Sequence, residues 1–355
     1  MAQTVLLAMS GGVDSSVSAV LLREAGYRVI GLFMITGAVT GGETGAGARR
    51  CCAATDKKDA ERVAGLLGIP FYAQDFRREF DRIREDFVQE YRRGRTPNPC
   101  LRCNQWVKFG SLLEKADALG ADLVATGHYA RVERSGGHYL LRNSRDTDKN
   151  QTYFLFTLGQ RELGRILFPV GDLTKDEVRN LARRAGLPTS EKPESQDVCF
   201  VSGTTYHDFV LARGGPSPPG PIVLSDGREV GRHQGTIRFT VGQRRGLGVA
   251  LGHRHYVTRI DVERNEVVVG PEEELCGSSF TVDELSWVDG MARDDTVEAL
   301  VQIRYRHRPV EAIIHPLGER RARIEVPGSE KGITPGQAAV FYRGDVVLGG
   351  GIIES

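Results

Sequence analysis

The sequence predicts an α/β protein, with a doubly wound parallel sheet at the N-terminal end and two small β-rich domains after it. Up to about residue 200, apolar runs typical of buried strands alternate with longer segments of helical periodicity. That alternation favours a parallel sheet with helices on both faces. After residue 203, short strand-like runs with closely spaced turn signals replace the helical pattern, as in β-barrels. We therefore expect domains over 1–203, 204–278 and 279–355.

In the first domain we expect strands over 5–9, 28–34, 71–75 and 122–127, and helices over 15–25, 56–67, 78–93 and 104–119. Ligands of such sheets bind beyond the carboxyl ends of the strands. Met34, Gly127 and His128 follow strand ends, and we expect them on the same rim as the first strand–helix turn. The segment 35–50 is rich in Gly, Thr and Ala without apolar periodicity, which predicts a loop.

The first strand–helix turn has the sequence S-G-G-V-D-S-S over residues 10–16. Glycines let the backbone approach an anion, and the start of a helix favours negative charge, so this turn is a candidate phosphate cradle. It matches neither a Walker A loop nor G-x-G-x-x-G. Asp14 would repel phosphate unless a cation lies between them, which implies Mg²⁺. The alternative is a serine-capped glycine turn without a ligand.

Composition limits the other possibilities. The formal net charge of the 355 residues is only +1, so any surface for nucleic acid must be local. No apolar run reaches 18 residues and the chain begins directly with a strand, so we expect neither a membrane span nor a signal peptide. Six cysteines in so long a chain do not indicate a secreted disulfide framework, and we expect a cytoplasmic protein. Vicinal Cys51 and Cys52 are interpreted as packing residues.

The second informative segment is T-P-N-P-C-L-R-C-N over residues 96–104. Its two prolines predict a stiff, extended approach to a helix. A thiol at a helix N-terminus has a stabilised thiolate, so Cys103 is a candidate nucleophile or metal ligand, with Arg102 and Lys108 acting in the same direction. Half of a zinc site and a redox pair are alternatives, but the chain has no second Cys-x-x-Cys. Cys199 is either the missing partner or a small core residue.

Beyond residue 203 we expect strands over 220–224, 237–240, 255–262, 266–269 and 301–305. A Gly/Pro-rich stretch over 214–221 marks the entry to the central domain, and a break near 276–279 its end. Both C-terminal domains are rich in arginine: Arg228, Arg232, Arg238, Arg244, Arg245, Arg254, Arg259, Arg304, Arg306, Arg308, Arg320 and Arg321. These side chains form either ordinary solvated faces or phosphate contacts to a folded RNA.

The turn S-G-G-V-D-S-S resembles the pyrophosphate loop of ATP pyrophosphatases, which cut ATP between the α and β phosphates and transfer AMP. Further motifs follow in a fixed order: T-P-N-P-x-x-x-C-N, T-G-H-Y-A-R, D-K-N-Q-T-Y-F-L, S-Q-D-V-C-F, F-T-V-G-Q-R-R-G-L, Q-I-R-Y-R-H and T-P-G-Q-A-A-V-F-Y. Together they resemble the tRNA-specific 2-thiouridylases, which place sulfur on C2 of the wobble uridine, and the resemblance runs from the first strand to the C-terminus.

This resemblance implies roles for named residues. ATP and Mg²⁺ would be bound by the glycine turn and the sheet rim: Ala8, Met9, Ser10, Gly11, Gly12, Val13, Asp14, Ser15, Met34 and Gly127. Cys199 would carry a persulfide, and Cys103 would resolve the intermediate by forming a disulfide with Cys199. The tRNA would contact Asn98, Pro99, Cys100, His128, Lys149, Asn150, Gln151, Arg304, Tyr305 and Gln337. The implied partners are tRNAs for Lys, Glu and Gln and a sulfur-donating cysteine desulfurase or relay protein.

One position departs from much of the family, because Cys100 stands where many members have Asp. Cys100, Cys103 and Cys199 could then hold a [4Fe–4S] cluster with one open iron site, as in cluster-dependent tRNA thiolases. The persulfide and cluster routes both remain open from sequence. So do three other functions: thiolation of another nucleoside, adenylation for an amine nucleophile, and RNA binding with a vestigial loop.

Overall fold

The computed structural model describes residues 2–37, 54–194, 198–201 and 205–354. The strands are β1 Thr4–Ala8, β2 Arg28–Ile35, β3 Phe71–Asp75, β4 Leu123–Ala125, β5 Ala130–Ser135, β6 His138–Asn143, β7 Ile166–Leu167, β8 Gly220–Leu224, β9 Glu229–His233, β10 Tyr256–Asp261, β11 Glu266–Gly270, β12 Cys276–Trp287, β13 Val297–Gln302, β14 Val310–Pro316, β15 Ala322–Lys331, β16 Ala338–Arg343 and β17 Val346–Ile353. The helices are α1 Val13–Glu24, α2 Ala54–Leu67, α3 Arg77–Arg92, α4 Pro99–Arg102, α5 Leu112–Ala118, α6 Gln160–Leu163, α7 Lys175–Arg184 and α8 Tyr206–Gly214.

The predicted parallel sheet is confirmed. It has five strands in the order β3-β2-β1-β4-β7, and β1 pairs in parallel with both β2 and β4. Side chains alternate across β1: Val5 and Leu7 pack with α1, α2 and α7, whereas Leu6 and Ala8 pack with α3, α5 and α8. The sheet therefore has helices on both faces, and its carboxyl edge carries the glycine turn after β1.

The C-terminal strands form a closed barrel with an extension. Strands β12, β15, β14, β13, β16 and β17 follow one another, and an additional β12–β17 pairing closes the ring. The β5–β6 hairpin, which lies within the first predicted domain, joins this sheet through the pairing of Val346 with Arg142 and of Val347 with Leu141. The first and last parts of the chain thus share one sheet.

The central unit is a four-stranded sheet in the order β10-β11-β8-β9. The strands expected over 255–262 and 266–269 are confirmed and form the antiparallel pair β10–β11. The strand expected over 237–240 is wrong, because Thr236–Arg238 is a short 3₁₀ helix. The apolar alternation has another cause, because Ile237 packs into the core of the first sheet and Phe239 into the central core. The strand expected over 301–305 ends at Gln302.

The expectation that helices stop after residue 203 is also wrong. Helix α8 is N-capped by Thr205, whose Oγ1 accepts a hydrogen bond from the backbone N–H of Asp208. Its aromatic residues pack against α3: the rings of Tyr206 and Tyr91 stack at 5.0 Å. Strand β12 begins at Cys276, so the boundary expected between residues 278 and 279 falls inside a strand.

The helix expected over 104–119 is divided. A π-helix spans Cys103–Ser111 and α5 follows it, whereas the helical backbone already begins at Pro99 with the four residues of α4. π-Helical turns are rare and are frequently found at functional sites. Among the described residues, no helix is both long and apolar enough to cross a membrane.

Candidate active site at the carboxyl edge of the first sheet

The glycine turn has a backbone conformation that depends on glycine. Gly11 has φ +73°, and a Cβ atom there would lie 2.2 Å from the backbone oxygen of Asp56, so only glycine fits. Gly12 is the N-cap of α1. The Ser15 hydroxyl accepts a hydrogen bond from the Ser10 N–H and donates one to the Gly12 carbonyl. These contacts shape the turn at the helix N-terminus, where an anion is stabilised.

Asp14 lies in a chain of alternating charges. Both of its carboxylate oxygens accept hydrogen bonds from the Lys175 ammonium, at 2.7 and 2.9 Å, and one also accepts from the Tyr129 hydroxyl at 2.8 Å. Lys175 also pairs with Glu194 at 2.6 Å, and Glu194 pairs with Lys149 at 2.7 Å. The positive charge that Asp14 needs in a phosphate site is therefore supplied by a lysine.

This arrangement bears on the implied Mg²⁺. Carboxylate oxygens are suitable ligands for Mg²⁺, but in this structure both oxygens of Asp14 are held by Lys175. Across the described ranges, no group of three or more His, Cys, Asp or Glu side chains is arranged to hold a metal ion. The residues as they stand do not fit a preformed metal site. The charge argument that led from Asp14 to a metal is satisfied by the lysine instead.

The other residues expected at the rim differ in their burial and in their contact with the turn. A Cβ atom on Gly127 would lie 2.8 Å from the Ser15 nitrogen, so Gly127 packs directly on the start of α1. Met34 is half-buried near the end of β2, whereas Ala8, Met9 and Val13 are buried core residues. Their contribution to the site is made by the backbone around the turn rather than by exposed side chains.

His128 is enclosed. It is 7% exposed, its Nδ1 lies 2.7 Å from the Thr126 hydroxyl, and its Nε2 accepts from the Lys108 ammonium at 3.3 Å. Burial, and then the charge of Lys108, hold the pKa of His128 well below its ordinary value, so the imidazole is neutral. The expectation that Lys108 stabilises a cysteine thiolate has no support in these contacts.

A cavity of about 570 Å³ opens beside the Asp14–Lys175 pair. Three of the side chains that line it are cationic, namely Lys149, Lys175 and Arg179, and four are acidic, namely Asp146, Asp148, Asp176 and Glu194. Burial pushes the pKa of Glu194 up, but hydrogen bonds from Lys149 and Lys175 outweigh it and lower the pKa to about 2. The cavity is therefore a charged, polar space next to the candidate phosphate cradle.

Sequence reasoning missed two lysines of this site. Besides Lys175, Lys192 lies against the turn: its ammonium donates to the Gly11 carbonyl at 2.9 Å and pairs with Asp56 and Asp59 on α2. Lys192 lies seven positions before Cys199. The signal that could have found it is a lysine among turn formers, but nothing in the sequence places that turn against Gly11.

The Cys-x-x-Cys segment begins with a helix N-cap, because the side chain of extended Asn98 accepts a hydrogen bond from the Cys100 N–H at 3.2 Å. Pro99 is the first residue of α4, so Cys100 is in the first helical turn and Cys103 is not at a helix N-terminus. The argument from helix position thus applies to Cys100 and not to Cys103. Cys100 is exposed, and Cys103 is half-buried.

Cys103 and Cys199 lie against the same hydrophobic cluster. Its members come from β1, α3, the π-helix and α8, and they include Ala8, which immediately precedes the glycine turn region. Within the described ranges no three His, Cys, Asp or Glu side chains are grouped to hold a metal ion, so Cys100, Cys103 and Cys199 do not form a preassembled [4Fe–4S] site in this structure. Residues 195–197 of the S-Q-D-V-C-F motif, like Cys51 and Cys52, lie outside the described residues.

The remaining expected tRNA contacts are already engaged in the fold. Asn150 donates to the Asn143 side chain and Gln151 accepts from the Tyr129 N–H, each at 2.9 Å. The Gln337 amide donates to the Thr96 carbonyl at 2.7 Å. Arg304 is exposed and donates to the Lys331 carbonyl at 3.0 Å, and the ring of Tyr305 lies 4.5 Å from that of Phe154. The first three organise loops around the site.

Three family models match successive parts of the chain. They are a tRNA methyl transferase HUP domain over 3–203, a tRNA methyl transferase PRC-barrel domain over 207–271 and an aminomethyltransferase β-barrel domain over 277–353.

Similar curated proteins include several named tRNA-specific 2-thiouridylase MnmA. The protein from Geobacter metallireducens is 51% identical, covering 99% of this chain and 96% of the relative. That from Geotalea uraniireducens is 49% identical over 99% and 94%, and that from Chloroflexus aurantiacus 46% over 98% and 98%. With such identity along nearly the whole of both chains, this chain belongs to the tRNA-specific 2-thiouridylase family.

Proposed function

We propose that this protein uses ATP to replace the C2 oxygen of the wobble uridine of tRNA with sulfur. One observation carries the proposal at the level of the site. The glycine turn follows the strand whose Ala8 packs into the cluster that also receives Cys103 and Cys199. The two thiols thus lie on one face of the sheet whose carboxyl edge carries the candidate nucleotide-binding turn, in a chain of the thiouridylase family.

ATP activates the uracil carbonyl in the first step. The C2 oxygen is a poor leaving group, and its attack on the α phosphate forms an adenylated uridine and releases pyrophosphate. Residues 10–15 bind the pyrophosphate, while Met34 and Gly127 contact the adenosine. Lys175 lies beside the turn and Lys149 lines the adjoining cavity, and both supply positive charge to the phosphates. Mg²⁺ that accompanies ATP would neutralise phosphate charge, and it would reach Asp14 only after displacing the Lys175 ammonium.

Sulfur displaces AMP in the second step. The outer sulfur of a Cys199 persulfide attacks C2, the C–S bond forms, and the C–O bond to AMP breaks. The Cys103 thiolate then attacks the Cys199 sulfur, which breaks the S–S bond to the new thiocarbonyl and leaves a Cys103–Cys199 disulfide. An external dithiol reduces this disulfide, and a cysteine desulfurase or relay protein reloads the persulfide.

The tRNA must expose its uridine to reach these groups, because chemistry on a base requires its removal from the stack. Asn98, Pro99 and Cys100 are proposed to line the uridine pocket. The other residues implied by the resemblance are proposed to form the surrounding RNA-binding surface. Lys149, Arg304 and Tyr305 would contact the RNA, while His128, Asn150, Gln151 and Gln337 would shape the site beneath it. We place the reaction in the cytoplasm and expect tRNAs for Lys, Glu and Gln as substrates.

The test is a reaction with unmodified tRNA, ATP and a persulfide donor, followed by mass spectrometry of the digested nucleosides. Cys199→Ser and Cys103→Ser are expected to reduce 2-thiouridine formation by at least a hundredfold. Both should still release pyrophosphate in a single turnover with tRNA. Cys276→Ser is the matched control, because Cys276 is exposed on the barrel and is expected to be dispensable.

Other results would point to the alternatives. Full turnover by Cys199→Ser would favour an amine-using ligase, and tRNA binding without ATP cleavage would favour an RNA-binding protein. A thiolated nucleoside other than 2-thiouridine would indicate another thiolase. Iron and sulfide in anaerobically purified protein, lost together with activity in Cys100→Asp, would favour the [4Fe–4S] route over the persulfide route.

A further inference from the structure

The C-terminal barrel holds the Cys-x-x-Cys segment at both of its ends. At the start, the Thr96 N–H donates to the Pro335 carbonyl at 2.8 Å, and the Thr96 carbonyl accepts from the Gln337 amide. A Cβ atom on Gly336 would lie 2.9 Å from the Thr96 backbone, so the two segments are in close contact. At the other end of the segment, Arg102 is held by a further barrel residue.

That residue is Glu284, in β12. Its two carboxylate oxygens accept from the two terminal nitrogens of Arg102, each at 2.6 Å, which is the bidentate geometry of a strong arginine–carboxylate pair. The Arg102 side chain is only 14% exposed, and its guanidinium lies 5.0 Å from the centre of the Trp106 ring. The hydrogen bond from Arg102 lowers the pKa of Glu284, so the pair is charged.

Glu284 has an unusual backbone. Its φ is +51°, in the left-handed region that non-glycine residues rarely adopt, and it lies in a bulge where the β12–β17 register shifts between Asp283 and Ser286. Strained backbone of this kind persists where the surrounding structure requires it, and it clusters at functional sites. Here the bulge directs the carboxylate to a residue between the two cysteines of the turn.

We propose that Glu284 is a positioning residue for Cys103, acting through Arg102. It fixes the turn between Cys100 and Cys103 against the barrel and keeps the arginine charge committed to a carboxylate. The proposal rests on the proposed role of Cys103 in sulfur transfer. It assigns the barrel a part in the chemistry that is separate from RNA binding.

The charged groups around the Arg102–Glu284 pair determine how the loss of Glu284 would change the electrostatics of the turn. Asp86 and Glu90 of α3 face Arg102, with Asp86 at 3.5 Å, and Arg95 and Arg320 face Glu284. Removing the Glu284 charge leaves three arginines near the turn with one carboxylate fewer. The net change toward positive charge stabilises a neighbouring thiolate, and the released guanidinium loses its fixed position.

The experiment compares wild-type full-length protein with Glu284→Gln, which keeps the side-chain shape and removes the charge. Alkylation of Cys103 by iodoacetamide is followed across pH by mass spectrometry of its peptide. We expect the pH of half-maximal alkylation to fall by about half a unit to one unit in Glu284→Gln. We also expect kcat for thiolation to fall about tenfold at unchanged KM for ATP. A purely structural role would not shift the alkylation profile.

Glu354→Gln is the matched control, because Glu354 is also a barrel glutamate paired with an arginine, Arg321. It should change neither measurement. Glu284→Asn, which tolerates positive φ but is too short to reach Arg102, should behave like Glu284→Gln, and Arg102→Gln should remove the effect of Glu284→Gln in the double variant. An unshifted alkylation profile with unchanged kcat would overturn the proposal. A shifted profile with normal thiolation would instead count against Cys103 as a participant.

Discussion

At two glycines of this site, one added Cβ atom would collide with a neighbouring segment of the chain. Gly11 turns the chain with positive φ and touches the backbone of α2, and Gly127 touches the start of α1. At both positions the two nearest atoms to an added Cβ are backbone atoms, which cannot rotate away as a side chain can. The glycine turn is therefore held between two other segments.

A comparison of Gly11→Ala with Gly26→Ala separates the energetic cost of this close contact from the cost of positive φ. Gly26 has φ +83° but no atom within 4 Å of an added Cβ, so Gly26→Ala should cost only the strain of positive φ, about 1–2 kcal/mol. Gly11→Ala adds a clash with Asp56 and should cost about 2–5 kcal/mol in total. Urea unfolding measures both, and ATP binding should weaken only in Gly11→Ala. Equal costs at the two positions would contradict the close packing.

The lowered pKa of Glu194 predicts how the free energy of unfolding changes with pH. Its pKa is lowered to about 2 in the folded chain from an ordinary value of 4.5. A lowered folded-state pKa stabilises the fold above the ordinary value, and the stabilisation is lost as pH falls through 4.5 toward 2. Unfolding free energies at pH 6 and pH 3 should therefore differ more in wild type than in Glu194→Gln. The same difference in both proteins would show that the lysine contacts do not persist in solution.

At the scale of elements, the sheet and its rim could be predicted because they follow from local signals. Buried β1 reads as an apolar run, and the two glycines that follow it indicate the turn into α1. The π-helix could not be predicted, because its apolar residues, such as Val107 and Phe109, also suit an α-helix. Lys175 and Lys192 were missed for a related reason: their partners lie 161 and 181 positions away.

Lys192 connects three elements and provides a prediction at this scale. Its ammonium joins the glycine turn, α2 and the segment that leads to Cys199. Lys192→Met removes the ammonium that neutralises the buried Asp56 carboxylate, and we expect a loss of about 1–3 kcal/mol in urea unfolding. Thiolation should fall more steeply than stability explains. Lys58→Met is the control, because Lys58 is exposed on α2, the helix that carries Asp56. It should change neither stability nor thiolation.

At the scale of the whole molecule, the hydrophobic cores do not follow the order of the predicted domains along the chain. One hydrophobic cluster contains Leu141, Tyr153 and Phe156 from the first predicted domain together with Val340 and Val347 from the barrel. Arg131 and Arg142 of the β5–β6 hairpin also pair with Asp345 next to β17. Sequence patterns describe segments one at a time, so a core shared by residues about 200 positions apart leaves no local signal.

The central unit differs from the barrel, because the buried residues of its core all come from one continuous stretch of the chain. Ile222, Phe239, Leu247, Val257 and Val267 all lie within 222–269. It is small, and small domains are marginally stable. We expect an isolated fragment over 216–275 to unfold cooperatively with a low midpoint.

The fragment over 1–203 should fail the same test. Without the barrel it exposes the Leu141–Tyr153–Phe156 side of the shared cluster and leaves β6 without β17 as its neighbour. An exposed apolar patch and an open strand edge favour aggregation. We expect dye binding and no cooperative thermal transition for 1–203 alone, and recovery of a transition when residues 276–355 are co-expressed with it. A cooperative transition of 1–203 at the midpoint of the full chain would show that the shared core contributes nothing. The barrel would then be an appendage to the catalytic sheet rather than part of its folding unit.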